Sequence, residues 1–595
     1  MHAEGDNITL ETKRMIIEIE KGIITRIFNR LTGTEYVSTS TKTVPQDFHT
    51  GLVYVFPQIA QREEKIGVVG ATPSPAKGAK VLLPTLMSLK EFDMTEMRKV
   101  GDRGVEYHFQ SKDESASLKI EYFIDKKSSD ILVSLEGEGK RKGLSAVRFA
   151  LPPITCRGNL LLPVFNGIKA CRGKSPFKFE GTTWGWPTGW QASFIIFDDP
   201  LGGLWIYTHD AKRRFKEVRY NYEGNGTWSV AFDTVNYAPF NLHDSIESVV
   251  WRLDVYEGDW TIPVRQYKRW IYDTYKIKEK EKFRPSWVDE IKLVIKHADY
   301  MSDEQIVPFL ELLEKYVDPQ RTLLFMTNWM VSEPVIIPNW VASEHGARFN
   351  REARKRGFRT MYYANYIGIT PNHPKFDEFR DHFIRNPYTN EFEGWNLKGE
   401  WSEATDIKLY YVNPAYKPWR DYQISQFKAL FDKNPADGLF LDQSFLMFND
   451  GNGLIDGQST VEGNLAFHRE LAEALPGVAL GGESINEITM QYESICELHF
   501  LSLEMKRDSD GNLNWEINPA AFDRMVPIVS ELVLPHTHPI GYLGFPDTRS
   551  SFYAGWRDAL HIYRGILTLT RPTVDEIKDP ESEVRRVLRR AFPEK

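Results

Sequence analysis

The first 258 residues alternate between apolar and polar positions with a period of two. Met15, Ile17 and Ile19 share one side of the segment MIIEIE, and the same spacing recurs in GVEYHFQ and SLKIEYF. Turn-forming pairs such as Lys21-Gly22 and Thr32-Gly33 separate these segments at short intervals. Alternation of this kind is typical of strands that bury one face. Residues 1–258 are therefore predicted to form a large antiparallel β-sandwich.

The period changes after residue 258. In the segment WTIPVRQYKRWIYDTYKI, residues Val264, Tyr267 and Ile271 recur at helical spacing, and a basic stretch, EKEKFRP, follows. We interpret residues 259–285 as a helical linker. A domain boundary is predicted near Pro285.

Short apolar strands alternate with helical segments in residues 286–595. The clearest strands are IKLVIKH (291–297), TLLFMTN (322–328), RTMYYAN (359–365), GLFLD (438–442) and VALGG (478–482). ICELHF (495–500) and LVLPH (532–536) are proposed as later strands, and no segment stands out as the eighth. This order predicts a parallel sheet buried on both faces, in a (β/α)₈ barrel. A doubly wound sheet is the alternative, but no glycine-rich phosphate loop follows the first strand.

Two of these strands lead into acidic residues. GLFLD ends in Asp442, and VALGG is followed directly by Glu483. The C-terminal ends of barrel strands carry the reactive groups of such folds. Neighbouring strands lie about 4.8 Å apart, so the two carboxyl groups can approach the roughly 5–5.5 Å used by retaining glycosidases. An acid in this position also serves as a helix cap, and one isolated case would favour that interpretation.

Composition narrows the range of functions. Lys and Arg number 74 against 82 Asp and Glu, giving a net charge of −8 with no long block of one sign, which disfavours nucleic-acid and membrane partners. The N-terminus lacks the apolar stretch of a secretory signal, so a cytoplasmic protein is expected. Three cysteines are interpreted as reduced thiols. No cofactor or metal is expected, and the oligomeric state is left open.

Further residues are candidates for contact with a sugar, because they follow barrel strands or lie in long aromatic loops. These predicted substrate-binding residues are Asn328, Trp329, Asn365, Tyr366, Trp395, Trp401, Gln443, His499, His536 and His538. For the strand-end pairs, packing at the barrel rim is an equal alternative. The tryptophans of GTTWGWPTGWQ form either a second wall of the site or an interdomain contact.

The region around the two acids resembles a known group of enzymes. YYVNPAYKPWRDY, DGLFLDQSF and GGESINE are similar to the catalytic region of the retaining α-glycoside hydrolases, in which a β-supersandwich precedes a (β/α)₈ barrel. The closest layouts are those of the endo-α-N-acetylgalactosaminidases and of an uncharacterised bacterial glycoside-hydrolase-like family. This resemblance implies a nucleophilic Asp at the end of strand four, which is Asp442, and a Glu acid/base on strand five, which is Glu483. Related families place the acid on strand six, and Glu497 and Glu504 are the alternatives there.

The predicted function is hydrolysis of an α-linked glycoside with retention, and the expected partner is an oligosaccharide or glycoside. Two alternatives stay open. His536 and His538 have the spacing of a metal pair, which would suit a metal-dependent barrel hydrolase, although the first strand offers Lys292 and Lys296 instead of histidines. The other alternative is a glycan-binding protein without catalysis.

Overall fold

A computed structural model describes most of the chain. The described residues are 2–4, 7–37, 45–61, 76–173, 182–331, 336–396, 408–498, 503–507, 513–517, 523–541 and 560–595. The fold is described only as far as it positions the candidate site.

Three antiparallel sheets build the described N-terminal part. The first is a meander of His2–Glu4, Asn7–Glu11, Met15–Glu20, Ile23–Asn29 and Thr34–Glu35. The second contains, in spatial order, Ile168–Lys169, Asn159–Leu162, Phe194–Asp199, Gly202–Thr208, Trp251–Glu257, Ile131–Gly139, Ala116–Ile124, Gly104–Ser111 and Phe92–Val100, with Ser245–Glu247 beside Ile131–Gly139. The third contains Thr183–Trp186, Lys216–Gly224, Thr227–Val235, Leu144–Ala150, Gly51–Ile59 and Lys80–Ser88, with Ile154–Thr155 beside Thr227–Val235.

The alternation seen in the sequence corresponds to burial. Met15 and Ile17 are fully buried and Ile19 is nearly so, as the period of two requires. Side chains from all three sheets join one apolar cluster. The prediction of an N-terminal part built from antiparallel sheets is therefore confirmed.

A helix, Thr261–Thr274, follows the last strand of the second sheet. Val264, Tyr267 and Ile271 are buried along one face, as the helical spacing predicts. They pack in one cluster with side chains of the second sheet and of the helix Ile528–Val533. A short helix, Ile277–Lys280, comes next. The segment predicted as a linker is thus packed on both sides.

Eight parallel strands form the sheet of the C-terminal part. Barrel strands one to eight are Leu293–Lys296, Thr322–Met326, Arg359–Asn365, Gly438–Asp442, Ala479–Gly482, Glu493–Glu497, His538–Ile540 and Leu567–Thr570. Strand one pairs with both strand two and strand eight. A parallel bridge between Ile540 and Ile566 joins strands seven and eight. The sheet therefore curves into a nearly closed barrel.

Helices lie between most of these strands. Those with described boundaries are Ile306–Leu313, Glu344–Lys355, Phe376–Phe379, Lys417–Lys433, Thr460–Ala474 and Ile528–Val533, and two more helices, Val574–Lys578 and Glu583–Ala591, follow strand eight. In the described segment between strands five and six the connection is a 3₁₀ turn, Thr489–Gln491, rather than an α-helix. A small sheet of Gly368–Ile369, Lys408–Tyr411 and Gly394–Asn396 follows strand three, and a hairpin of Leu503–Arg507 and Leu513–Ile517 follows strand six.

The expectation for LVLPH (532–536) was wrong. Its apolar residues complete the helix Ile528–Val533, and strand seven begins later, at His538. The apolar run was mistaken for a strand because buried helices and buried strands look alike over five residues. Strand six begins at Glu493, two residues before the predicted segment.

Among the described residues, no helix has the length and apolar character needed to cross a membrane. The predicted domain limits at residues 258, 285 and 286 stay predictions.

Candidate active site

Polar side chains lie above the apolar interior of the barrel, at its C-terminal end. The interior is filled by apolar residues that include Val294, Met361, Phe440, Ala479 and Ile495. Alternate residues of a strand point to the same face. Two or four positions further along these strands stand Lys296, Asn365, Asp442, Glu483 and Glu497, which therefore face the interior above the apolar filling.

Strand register brings four of these residues side by side. Asn365 is the register partner of Asp442, so strands three and four end at the same level. Leu441 pairs with Gly482, and Gly482 pairs with Cys496. The next residues along are Asp442, Glu483 and Glu497. An amide and three carboxyl groups thus line one rim, on strands three to six.

Asp442 is half-buried and receives several hydrogen bonds. Asn365 Nδ2 donates to Asp442 Oδ2 over 2.8 Å, and Tyr363 and Glu483 also hydrogen-bond to the carboxylate. Burial raises the pKa of Asp442 above its ordinary value, and these three hydrogen bonds oppose that shift. Donors directed at a carboxylate favour its ionised form.

Glu483 is held by the chain segment that carries Asp442. The backbone N–H of Gln443 donates to Glu483 Oε2 over 2.9 Å. The side-chain oxygen of Gln443 accepts from Asn365 Nδ2 over 2.8 Å. Asn365, Asp442, Gln443 and Glu483 therefore form one connected network.

The residues that follow the two acids have left-handed backbones. Gln443 has φ 60° and Ser484 has φ 62°. Residues other than glycine adopt this conformation rarely, at a cost of order 1–3 kcal/mol, and such strain concentrates at functional sites. The chain turns sharply at both points, which leaves each acid at the end of its strand.

The β-sheet part of the molecule reaches the segment behind Glu483. Gln191 Nε2 donates to Ser484 Oγ over 3.2 Å and to the Ile485 carbonyl over 2.6 Å. Glu487 is buried and accepts from Ser193 Oγ, from the Tyr267 hydroxyl and from the indole of Trp186. The tryptophan segment predicted as either a site wall or an interdomain contact supplies the latter here.

Lys296 and Glu497 form an ion pair inside the barrel. Both side chains are fully buried. Burial lowers the pKa of Lys296 well below its ordinary value, and the charge of Glu483 opposes this shift. Strands one and six thus contribute a charged pair next to the two predicted catalytic acids.

Two predicted substrate contacts are packing residues instead. Tyr366 is fully buried, donates its hydroxyl proton to Asn464 over 2.7 Å and stacks on Phe467, both on the helix Thr460–Ala474. Trp329 is also fully buried, and its indole donates to the Tyr363 carbonyl over 2.9 Å. Each side chain points away from the barrel interior, so the prediction of sugar contact is corrected for both.

Asn328 and Trp395 lie nearer to solvent. Asn328 is exposed after strand two, and its backbone N–H donates to Asp299 over 2.9 Å. Trp395 is half-buried in the small sheet after strand three, opposite Leu409. The adjoining strand supplies Tyr411, which hydrogen-bonds to Gln443 and lies within electrostatic range of both acids.

His536 and His538 lie at the other end of the barrel. His538 begins strand seven, so it sits at the N-terminal end, where its ring bonds to Asp289 over 2.9 Å. His536 precedes it in a buried position, and burial lowers its pKa to about 4. The structure does not bring either histidine to Asp442, which corrects the predicted sugar contact and removes the geometric basis for a shared metal site.

Trp401 and His499 lie outside the described residues, as does the side chain of Glu504.

Sequence reasoning missed Tyr363, Tyr411 and Gln191, and it considered Lys296 only as an argument against a histidine pair. For Tyr363 a signal existed, because it stands two residues before Asn365 on the same strand face.

A family model described as a domain of unknown function, DUF6259, matches residues 247–450. This segment contains Lys296, Asn365 and Asp442 and ends before Glu483. No curated protein matches the chain.

Solved structures share the fold at low sequence identity. An α-N-acetylgalactosaminidase from Bifidobacterium bifidum, NagBb, superposes as a quadruple mutant with a TM-score of 0.66 and 12% identity, covering 98% of this chain and 92% of that chain. Its complex with GalNAc gives a TM-score of 0.65 and 11% identity over the same shares. A GH36 α-galactosidase, AgaB from Geobacillus stearothermophilus, gives 0.49 and 10%, covering 99% and 85%. The overall fold is thus that of NagBb.

Proposed function

We propose that this protein is a retaining glycoside hydrolase that cleaves an α-linked glycosyl bond, with Asp442 as nucleophile and Glu483 as acid/base. The observation that carries the proposal is the placement of these two acids at the ends of adjacent barrel strands, in one hydrogen-bonded network with Asn365 and Gln443. Two adjacent carboxyl groups with different surroundings suit one acid and one nucleophile.

In the proposed mechanism Glu483 carries the proton of the pair and Asp442 is the carboxylate. Asn365 and Tyr363 both direct donors at Asp442, which stabilises the carboxylate form there. Glu483 can then donate a hydrogen bond to the Asp442 carboxylate while the site is empty. Two carboxyl groups this close titrate as a unit, since they cannot both ionise without strong repulsion.

The separation supports retention rather than inversion. Inverting enzymes hold their carboxyl groups about 6.5–9.5 Å apart to admit a water molecule, whereas retaining enzymes use about 5–5.5 Å. The two acids end adjacent strands, and the N–H of Gln443, the residue after Asp442, reaches Glu483 Oε2 over 2.9 Å, so the carboxyl groups are close neighbours with little room for a water molecule between them.

The proposed reaction has two steps. Asp442 attacks the anomeric carbon, the glycosidic C–O bond breaks, and Glu483 gives its proton to the leaving oxygen. Glu483, now a carboxylate, takes a proton from water as that water attacks the same carbon and releases Asp442. The enzyme is regenerated without any cofactor.

The likeness to NagBb guides the choice of substrate. One NagBb structure contains GalNAc, so aryl α-N-acetylgalactosaminide is the first substrate to test, followed by aryl α-galactoside and α-glucoside. Architecture adds support, because antiparallel sheets followed by a nearly closed barrel of eight parallel strands are compatible with the layout that the resemblance in the sequence implies. Fold likeness alone does not decide activity.

The decisive experiment is trapping with fluorinated glycosides. A 2-deoxy-2-fluoro or 5-fluoro glycoside of each sugar is incubated with the protein, and mass spectrometry of its peptides identifies the labelled residue. We expect a glycosyl adduct on Asp442 and an α-configured first product by NMR. A label on another residue would refute the assignment of the nucleophile.

Variants give the matched controls. Asp442→Asn should abolish turnover, whereas Asp437→Asn should keep it, because Asp437 lies at the opposite end of the same strand and pairs with Arg354 and Arg359. Glu483→Gln should retain the first step on good leaving groups and be accelerated by azide. Glycan binding without turnover of any glycoside, unaffected by Asp442→Asn, would instead identify a non-catalytic binding protein.

A further inference from the structure

Three carboxyl groups stand next to one another on strands four, five and six, which is one more than the proposed reaction needs. Glu497 follows Cys496, the register partner of Gly482, so it lies beside Glu483. A third negative charge at this point would oppose ionisation of both other acids. The structure places Lys296 against Glu497, and neither side chain is exposed to solvent.

The pair has no net charge when the Lys296 ammonium faces the Glu497 carboxylate, and in this form the lysine cancels the acid. Lys296 and Glu497 are both fully buried, so water does not screen an imbalance between them. Without one partner, the other would either remain as a buried charge beside Glu483 or change its protonation state at a cost in free energy.

We propose that Lys296 is an electrostatic positioning residue that cancels Glu497, so that Glu483 alone serves as the acid of this rim. The inference rests on the proposed function and adds to it a reason why the strand-five glutamate acts rather than the strand-six one. Lys296 need not touch the substrate, because it acts through the charge of its partner.

Other charged groups near the rim are accounted for. Those that face Glu483 are Asp442 on strand four, Glu497 on strand six, Lys296 on strand one and the phenol of Tyr411. Lys296 has His297 beside it and Phe325 5.2 Å from its ammonium, and its carbonyl accepts from the Arg571 backbone. Burial lowers the pKa of His297 to about 3, so this ring adds no charge near neutral pH.

The test uses the pH dependence of kcat/KM, whose basic limb reports the acid of the free enzyme. Lys296→Met removes a positive charge and leaves Glu497 uncompensated, so the basic limb should move up by about one pH unit. Lys296→Met combined with Glu497→Gln removes both charges, and the limb should return toward its original position. A merely structural role of Lys296 would not be rescued by the second substitution.

A second variant covers the case in which Lys296→Met does not fold. Glu497→Gln alone leaves the lysine uncompensated, which favours the Glu483 carboxylate and should shift the limb downward. Opposite shifts in the two single variants, cancelled in the double variant, are expected. A limb that stays fixed in Glu497→Gln, or one that the double variant leaves displaced, would overturn the inference.

A measurement without turnover separates this inference from the proposed function. Protein labelled at the Glu carboxyl carbons with ¹³C is titrated by NMR, and Glu483→Gln and Glu497→Gln assign the two signals. In Lys296→Met the Glu483 titration should move to higher pH even if no glycoside is cleaved. An unmoved Glu483 signal would reject the role of Lys296, whereas a moved signal in a protein without hydrolase activity would reject only the proposed reaction.

Discussion

The backbone N–H of Gln443 donates to Glu483 Oε2 over 2.9 Å, so the segment that carries one predicted catalytic acid also holds the other. Gln443 can do this because its left-handed backbone turns the N–H toward strand five. The distance between the two acids is therefore set by main-chain geometry as well as by side-chain packing.

Asn365→Ala should move the acidic limb of the kcat/KM profile to higher pH by about one unit, given that a hydrogen bond to a charged group contributes about 1.5–3 kcal/mol. Asn365 donates to Asp442 and lowers the pKa of that carboxyl. Without this donor the carboxylate form is less favoured, so Asp442 ionises at higher pH. Rates measured across the acidic range check the shift.

The matched control for this prediction is Asn413→Ala. Asn413 Nδ2 donates to the buried Asp450 over 2.8 Å, the same distance and chemistry outside the pair of acids. The acidic limb should not move in this variant. Equal shifts in both variants would show that the effect is general and that Asp442 is not the group titrating.

Gly482→Ala should destabilise the protein by about 1–3 kcal/mol, the usual range for overpacking, and should also reduce kcat. A Cβ at this position would lie 2.1 Å from Glu493 Oε1 and 2.4 Å from Ser444 Oγ. Relief of that clash requires the buried Glu493 and Ser444 side chains, or strand five itself, to shift, and Glu483 is the next residue. Thermal unfolding and steady-state kinetics measure the two effects.

Gly185→Ala serves as the comparison, because a Cβ there has no heavy atom within 4 Å. It should leave both the unfolding midpoint and kcat close to their original values. If Gly482→Ala behaved in the same way, the close packing between Gly482 and Glu493 would not be what sets the position of Glu483.

Much of the candidate site could be predicted because it depends on residues that lie close together in the sequence. Asp442 and Asn365 end strands whose apolar residues are contiguous in the chain, and Glu483 directly follows such a strand, so the strand-end rule finds all three without knowing the fold in detail. The helix Thr261–Thr274 was predicted for the same reason, and its apolar positions Val264, Tyr267 and Ile271 are buried. Local periodicity is enough where an element is long and regular.

Other features depend on contacts between distant parts of the chain. Strand seven has three residues and strand eight has four, too few to show a period. The pairing of Lys296 with Glu497 joins strands one and six, and no spacing rule connects them. Tyr366 was misassigned because its neighbour Asn365 faces the interior, which obliges Tyr366 to face the helix outside.

Tyr267→Phe should destabilise the protein by about 1.5–3 kcal/mol, because the hydroxyl donates to the carboxylate of Glu487 and such charged hydrogen bonds are strong. The bond measures 2.7 Å and joins the helix Thr261–Thr274 to the segment that follows strand five. Burial raises the pKa of Glu487, and the Tyr267 hydroxyl opposes that shift by favouring the ionised form. The contribution of the bond is therefore present above the pKa of Glu487 and is lost as the pH falls through it, so the variant should differ most from the parent at alkaline pH.

Tyr362→Phe is the control, since its hydroxyl donates to the neutral Asn434 carbonyl over 3.1 Å and its loss should cost about 0.5–1.5 kcal/mol with little pH dependence. Urea unfolding of both variants at several pH values measures the difference, and equal, pH-independent losses would contradict an ionised Glu487.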